Sequence, residues 1–283
     1  MGALDGLGAL VTGGGSGIGE GCALALARDG ASVTICGRTE AKLEAAAERL
    51  REVADRGAEI RTVVADVTKE EDVQAAVAAA AQPEGRLDAV VASAGGSLHM
   101  GPLLLADTEA VRSTFELNML GTFLTLKHSA PELAATRGSF IGISSHVGIQ
   151  TERFLGAYAS AKAGLDQLLR VAADELGPSG VRVNSVRPGI IATDLMDAIT
   201  AGGPVLDSYH RNIPLGRVGT VDDVASLVRF LAGPESSFIT GQCIGIDGGQ
   251  TLRGGADFSP FAEPLYRDQP GWAFVVPSDE KGT

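Results

Sequence analysis

The chain of 283 residues carries 23 Lys+Arg against 35 Asp+Glu, a formal net charge of −12. A hydrophobic share of 45% belongs to a chain with a core and excludes disorder, and the acidic balance speaks against a nucleic-acid partner, which would need a basic face. Glycine, at 38 residues, runs at nearly twice its usual share of roughly 7% but with no three-residue period, which excludes collagen and points to tight turns.

Strand and helix signals alternate along the chain. An apolar run at 8–12 precedes helical spacing over 17–29, and the pattern repeats as 32–36 with 39–56, and 60–64 with 69–82. It continues as 88–92 with 107–135, 138–143 with 157–177, and 181–186 before a helix over 221–232 and a last strand at 242–246. In the second helix Leu43, Ala46, Ala47 and Leu50 recur at i, i+3, i+4 and i+7. Thr39, Thr68 and Thr220 stand where N-caps belong. Strands separated by helices of this length form βαβ units, so the expected fold is α/β: a doubly wound, mostly parallel, seven-stranded Rossmann-like sheet with helices on both faces.

Residues 1–253 are expected to form a single dinucleotide-binding catalytic domain, and 254–283 a C-terminal extension. The extension shows no periodicity, yet holds Phe258, Phe261, Tyr266, Trp272 and Phe274 in a chain with only thirteen aromatics. It is expected to dock on a neighbouring subunit. Residues 196–215, with Gly202-Gly203-Pro204, are expected as a mobile segment over the cleft. No stretch approaches the ~20 apolar residues that span a bilayer. The start of the chain lacks the basic and apolar regions of a signal peptide. Cys22, Cys36 and Cys243 are few, odd in number and widely spaced, as buried thiols in a reducing compartment are. A cytoplasmic protein is expected, without membrane or nucleic-acid partners.

After the first strand comes Thr12-Gly13-Gly14-Gly15-Ser16-Gly17-Ile18-Gly19, leading straight into a helix. Glycines bring backbone close to a pyrophosphate, and the helix N-terminus adds partial positive charge. No register satisfies G-x-G-x-x-G, and Glu20 after Gly19 excludes a P-loop lysine. The loop reads T-G-x-x-x-G-x-G. An NAD site usually places an acid at the end of the second strand. Here Cys36-Gly37-Arg38 stands in that place, and a guanidinium grips a 2′-phosphate as a fork. NADP(H) is therefore the preferred cofactor and NAD(H) the alternative, since the second basic residue that would strengthen the case is Ser16.

Tyr158 and Lys162 lie one turn apart on one helical face. A tyrosine hydroxyl of pKa about 10 needs help to exchange protons at neutral pH, and an ammonium nearby supplies part of it. Ser144 and Ser145 follow the fifth strand, at the strand ends where a doubly wound sheet opens its crevice. Asn118 is a poor mid-helix residue on propensity and invites a functional explanation.

Together, Thr12–Gly19, Asp66, Ser93-Ala94-Gly95, Asn118, Ser145, Tyr158-x-x-x-Lys162, Pro188-Gly189 and the ending Asp247-Gly248-Gly249 resemble the short-chain dehydrogenase/reductase family over about residues 5–250. The resemblance implies that Tyr158 is the general acid or base, that Lys162 lowers its pKa and holds the nicotinamide ribose, and that Ser145 orients the substrate oxygen. Asn118 would anchor a proton relay. The cofactor would lie on Gly13, Gly15, Ser16, Gly17, Ile18, Gly19, Arg38, Asp66, Val67, Ser93, Ala94, Gly95, Tyr158, Lys162, Pro188, Gly189, Ile191 and Thr193, with Asp66 on the adenine and Ile191 and Thr193 on the nicotinamide amide. The family offset selects Ser145 over Ser144, which becomes a backbone-bonding neighbour. The family usually has Asn where Ser93 stands, which puts local rigidity in doubt. A homotetramer acting on a small carbonyl or alcohol is implied.

His146 beside Ser145 invites a hydrolase reading, but adjacent strand-end residues face opposite sides. His146 is expected to line the pocket or face solvent. His99, His128 and His210 lack ligand spacing, so no metal site is expected. The rival class is a nucleotide-binding regulatory or scaffold protein without turnover, against which the set Asn118, Ser145, Tyr158 and Lys162 weighs.

Overall fold

The computed structural model describes residues 2–54, 57–82, 85–253 and 258–269. Seven strands form one all-parallel sheet: β1 (Gly8–Thr12), β2 (Ser32–Gly37), β3 (Ile60–Val64), β4 (Ala89–Ala92), β5 (Ser139–Ile143), β6 (Arg182–Pro188) and β7 (Cys243–Ile246). Their order is β3-β2-β1-β4-β5-β6-β7, the doubly wound topology expected from the alternation. The order reverses between β1 and β4, so a crevice opens at their C-terminal ends. Register brings Thr12 opposite both Cys36 and Ala92, Ala92 opposite Gly142, and Ile143 opposite Val186.

Strand side chains alternate between two cores, as a period of two requires. Ala9, Val11, Val33, Ile35, Val91 and Ile141 pack on one face with α1 (Gly17–Arg28), α2 (Glu40–Val53) and α9 (Val221–Ala232). Leu10, Cys36, Val90, Phe140 and Val183 pack on the other with α3 (Glu70–Ala81), α5 (Gly121–Thr136) and α6 (Gly156–Leu176). The Leu43, Ala46, Ala47, Leu50 stripe of α2 is fully buried, which explains its spacing. Burial also pushes the Cys22 and Cys36 thiols up to about 12, so both are inert at neutral pH.

Two local expectations change and two gain detail. The single helix over 107–135 is three pieces: α4 (Thr108–Phe115), a π-helical turn (Glu116–Leu120) centred on Asn118, and α5. The N-cap of α3 is Lys69, because the Thr68 hydroxyl is spent on Asp66 Oδ1 at 2.8 Å. Thr39 is the N-cap of α2 without a side-chain bond, whereas Thr220 forms a full capping box with Asp223 on α9. The 196–215 segment carries the short α7 (Asp197–Thr200) and α8 (Pro204–Asn212), the latter started by Pro204 in its first turn.

The chain divides into two units, Met1–Thr251 and Leu252–Thr283. The second holds α10 (Ser259–Tyr266), again with a proline in its first turn, where the expectation was no periodic structure. Trp272 and Phe274 lie outside the described residues. No helix among the described residues is long and apolar enough to cross a membrane.

Candidate active site

The glycine loop joins the end of β1 to α1. Gly13 has φ +67, and a Cβ there would stand 3.0 Å from the Ala94 backbone; a Cβ at Gly19 would stand 2.3 Å from the Gly13 carbonyl. The loop therefore folds tightly on itself and against the end of β4, leaving the first amides of α1 facing the crevice. Ser16 is the N-cap of α1 and makes no side-chain cap bond, so its hydroxyl is not consumed by the helix. Thr193 closes the loop from the other side, its Cγ2 3.5 Å from where a Gly17 Cβ would be. A cradle this short of side-chain volume, at a helix N-terminus, fits a dinucleotide pyrophosphate.

Just beyond β2, Arg38 is exposed, and its guanidinium helps hold the Asp66 carboxyl below its ordinary range. Burial opposes this, and Thr68 adds to it through its N–H (3.0 Å) and hydroxyl (2.8 Å) on Asp66 Oδ1. Val67 is 5% exposed, packed against Gly121 of α5. Ser93 stands where the family usually has asparagine, and the Thr12 hydroxyl oxygen accepts from the N–H of Ser93 and of Ala94, both at 3.1 Å. Pro188 ends β6 and Gly189 starts the segment that reaches Thr193, the Gly189 N–H donating to the Ile246 carbonyl at 3.1 Å. Ile191 is buried and pairs with Gly219 in an isolated bridge.

Of the four polar residues singled out by sequence, Asn118 and Lys162 meet behind Gly95. A Cβ on Gly95 would lie 2.7 Å from Asn118 Oδ1 and 3.1 Å from Lys162 Nζ, so only glycine fits without a shift. Asn118 is wholly buried; its Nδ2 donates to the carbonyls of Gly96 and Thr114, each at 2.8 Å, and its Oδ1 accepts from Gly96 N–H at 3.2 Å. The π-turn turns this amide towards the loop after β4; such turns recur at functional sites.

Lys162 Nζ donates to the Ile143 carbonyl at 2.7 Å and lies 5.5 Å from the Tyr158 ring centroid. Burial lowers the Lys162 pKa from 10.5 to about 8, with the Asp166 carboxylate opposing. Asp166, one turn further along α6, is itself buried and accepts from Ser185 Oγ at 2.6 Å and Arg187 Nε at 2.7 Å. Its i+4 spacing from Lys162 is a signal sequence reading could have used. Burial raises the Tyr158 hydroxyl above its ordinary value, and the Glu152 charge adds to this, while a hydrogen bond with Ser145 pulls the other way. Ser145 is 7% exposed; Ser144 bonds backbone, its hydroxyl 3.3 Å from the Lys162 carbonyl.

His146 neither faces solvent nor stands free to act as a base. It is 4% exposed, with Nδ1 3.1 Å from the Pro188 carbonyl and Nε2 2.8 Å from Glu152 Oε1. Glu152, Tyr209 and Gln250 complete this cluster, and none of the three is marked by a motif.

The arrangement matches known proteins over nearly its whole length. A family model described as enoyl-(acyl carrier protein) reductase matches residues 13–251. The trans-4-hydroxycyclohexanecarboxylate dehydrogenase of Sinomonas cyclohexanicum is 39% identical over 86% of this chain and 92% of its own. A short-chain type dehydrogenase/reductase from Mycobacterium ulcerans superposes with a TM-score of 0.87 at 47% identity, covering 93% of this chain and 96% of that one. A 7α-hydroxysteroid dehydrogenase, solved with NADH and 7-oxo glycochenodeoxycholic acid, gives 0.81 at 29% identity over 87% and 94%. With this sheet, this glycine loop and these relatives, the chain belongs to the short-chain dehydrogenase/reductase family of oxidoreductases, which act on CH–OH or C=O groups with a nicotinamide dinucleotide.

Proposed function

We propose that the protein is an NADP(H)-dependent oxidoreductase interconverting a carbonyl and a secondary alcohol, with Tyr158 as general acid and base assisted by Lys162 and Ser145. The observation that carries this is the Tyr158 hydroxyl beside Ser145, with the Lys162 ammonium 5.5 Å from its ring, at the strand ends that face the glycine loop. When bound, the nicotinamide supplies or accepts the hydride. Gly13, Gly15, Ser16, Gly17, Ile18 and Gly19 would hold its pyrophosphate, Asp66 and Val67 the adenine, Ser93, Ala94 and Gly95 the nearby ribose, and Pro188, Gly189, Ile191 and Thr193 the amide.

In reduction, Tyr158 gives its phenolic proton to the substrate oxygen; in oxidation, the phenolate takes it back. Ser145 donates a hydrogen bond to the same oxygen and holds it in line. Lys162 favours the phenolate by its charge and replenishes the proton, and Asn118, packed beside it behind Gly95, anchors the relay. Arg38 supports the NADP(H) preference, being exposed at the end of β2 with no acid in its place. NAD(H) is the second reading, because Ser16 is not basic.

A panel of carbonyls and alcohols followed by NADPH absorbance tests the activity. Tyr158→Phe is expected to lower kcat by about 10²–10⁴-fold on any substrate found; near-full turnover rejects the mechanism. Tighter binding of NADPH than NADH in a fluorescence titration is expected, and equal or tighter NADH binding rejects the cofactor assignment.

We also infer a cytoplasmic homotetramer, with 254–283 docked on a neighbouring subunit. The support for docking is the apolar surface of α10 and its start: Phe258, Phe261 and Leu265 are 69%, 77% and 71% exposed.

A further inference from the structure

The Ser145–Tyr158 pair has a polar cluster beside it that the reaction scheme does not use. His146 follows Ser145 directly. Its Nδ1 lies 3.1 Å from the Pro188 carbonyl, and its Nε2 faces both Glu152 Oε1 at 2.8 Å and Gln250 Nε2 at 2.9 Å. The other Glu152 oxygen accepts from the Tyr209 hydroxyl at 3.0 Å. Gln250 Nε2 closes the cluster, 3.2 Å from Glu152 Oε1. The Glu152 carboxylate thus joins the turn after β5 to α8 and to the turn after β7, and His146 adds the end of β6. Of these, α8 has no fully buried residue of its own, and Tyr209 ties it to the cluster.

We propose that Glu152 is a positioning residue for the substrate: through Tyr209 it fixes α8 against the turn bearing Ser145 and His146, and so sets the wall of the cleft that faces the two reacting hydroxyls. This rests on reading Ser145 and Tyr158 as the reacting pair. A carboxylate in this position also leaves a mark on the chemistry. Its charge opposes ionisation of Tyr158, whereas a residue that merely filled space would not. The charged and titratable groups around the two are His146 and Tyr209 on Glu152, Lys162 at 5.5 Å from the Tyr158 ring, Asp247 near His146, and Asp166 behind Lys162.

The test compares Glu152→Gln, Tyr209→Phe and their double variant on a cyclic secondary alcohol that the wild type oxidises. Tyr209→Phe should raise KM about three- to tenfold, the loss of one hydrogen bond, with kcat within about twofold and the pH profile in place. Glu152→Gln should raise KM as much and also move the limb of kcat/KM in alcohol oxidation to lower pH, since Tyr158 then ionises more readily. The double variant should be no worse in KM than Glu152→Gln alone, because both remove the same contact. Unchanged KM and pH profile, with loss of thermal stability only, overturns the proposal; so do additive KM effects. If Glu152→Gln fails to fold, an unchanged KM in Tyr209→Phe overturns it. Tyr158→Phe separates the two readings: if it retains turnover the reacting pair is wrong, and if it is dead while Glu152→Gln is normal, only Glu152 is misassigned.

Discussion

Lys162 shows what a buried ammonium costs in stability. Its ammonium is buried with a carbonyl as its hydrogen-bond acceptor, and burial lowers its pKa from 10.5 to about 8. Below pH 8 the folded and unfolded chains both hold the proton, and the full cost of burying the charge applies. Between 8 and 10.5 the unfolded chain binds the proton more tightly, so stability from this site rises with pH. The fall from 10.5 to about 8 corresponds to about 3 kcal/mol across that window. Denaturant unfolding of the wild type and Lys162→Met should therefore diverge with pH, the wild type gaining about 3 kcal/mol on the variant between pH 8 and 10.5. A constant difference would mean that Lys162 titrates in the folded chain as it does in the unfolded one. Sequence alone exposed the Tyr158–Lys162 spacing; it did not expose Asp166, Ser185 and Arg187 behind it, because those meet only when α6 packs on β6.

At the scale of elements, the π-turn is the feature that propensity hinted at without resolving. Asn118 was conspicuous as a polar residue inside a helical run, but its reason lies 22 residues back, at the Gly96 backbone that its amide clamps. Asn118→Ala removes three hydrogen bonds and leaves a buried gap, a loss of about 1–3 kcal/mol. The expected fall in Tm is about 2–4 °C per kcal/mol for a chain of this size, read by thermal unfolding. No change in Tm would show that the loop after β4 holds without the clamp. The helix of the 196–215 segment escaped the sequence reading for a related reason. Gly202-Gly203-Pro204 looks like loop punctuation, yet a proline in a first turn is also how helices begin, and α8 begins there.

For the whole molecule, the extension 254–283 is the part whose role rests on composition. If it docks on a neighbouring subunit, deleting 254–283 should loosen the assembly by light scattering or raise the KM. Unchanged mass and kinetics would reject docking. Within the chain, what sequence determined was the order of elements, the parallel sheet and the cofactor end, since alternation of period-two and period-3.6 patterns and a glycine loop are local signals. Tertiary structure alone decided which polar groups neutralise one another. Thr12 holds the loop after β4 through the Ser93 and Ala94 N–H groups, and Glu152 gathers His146, Tyr209 and Gln250 from across the fold. Such contacts leave no periodicity because they join positions as much as 104 residues apart, and burial, which makes an unpaired polar group costly, is what selects them.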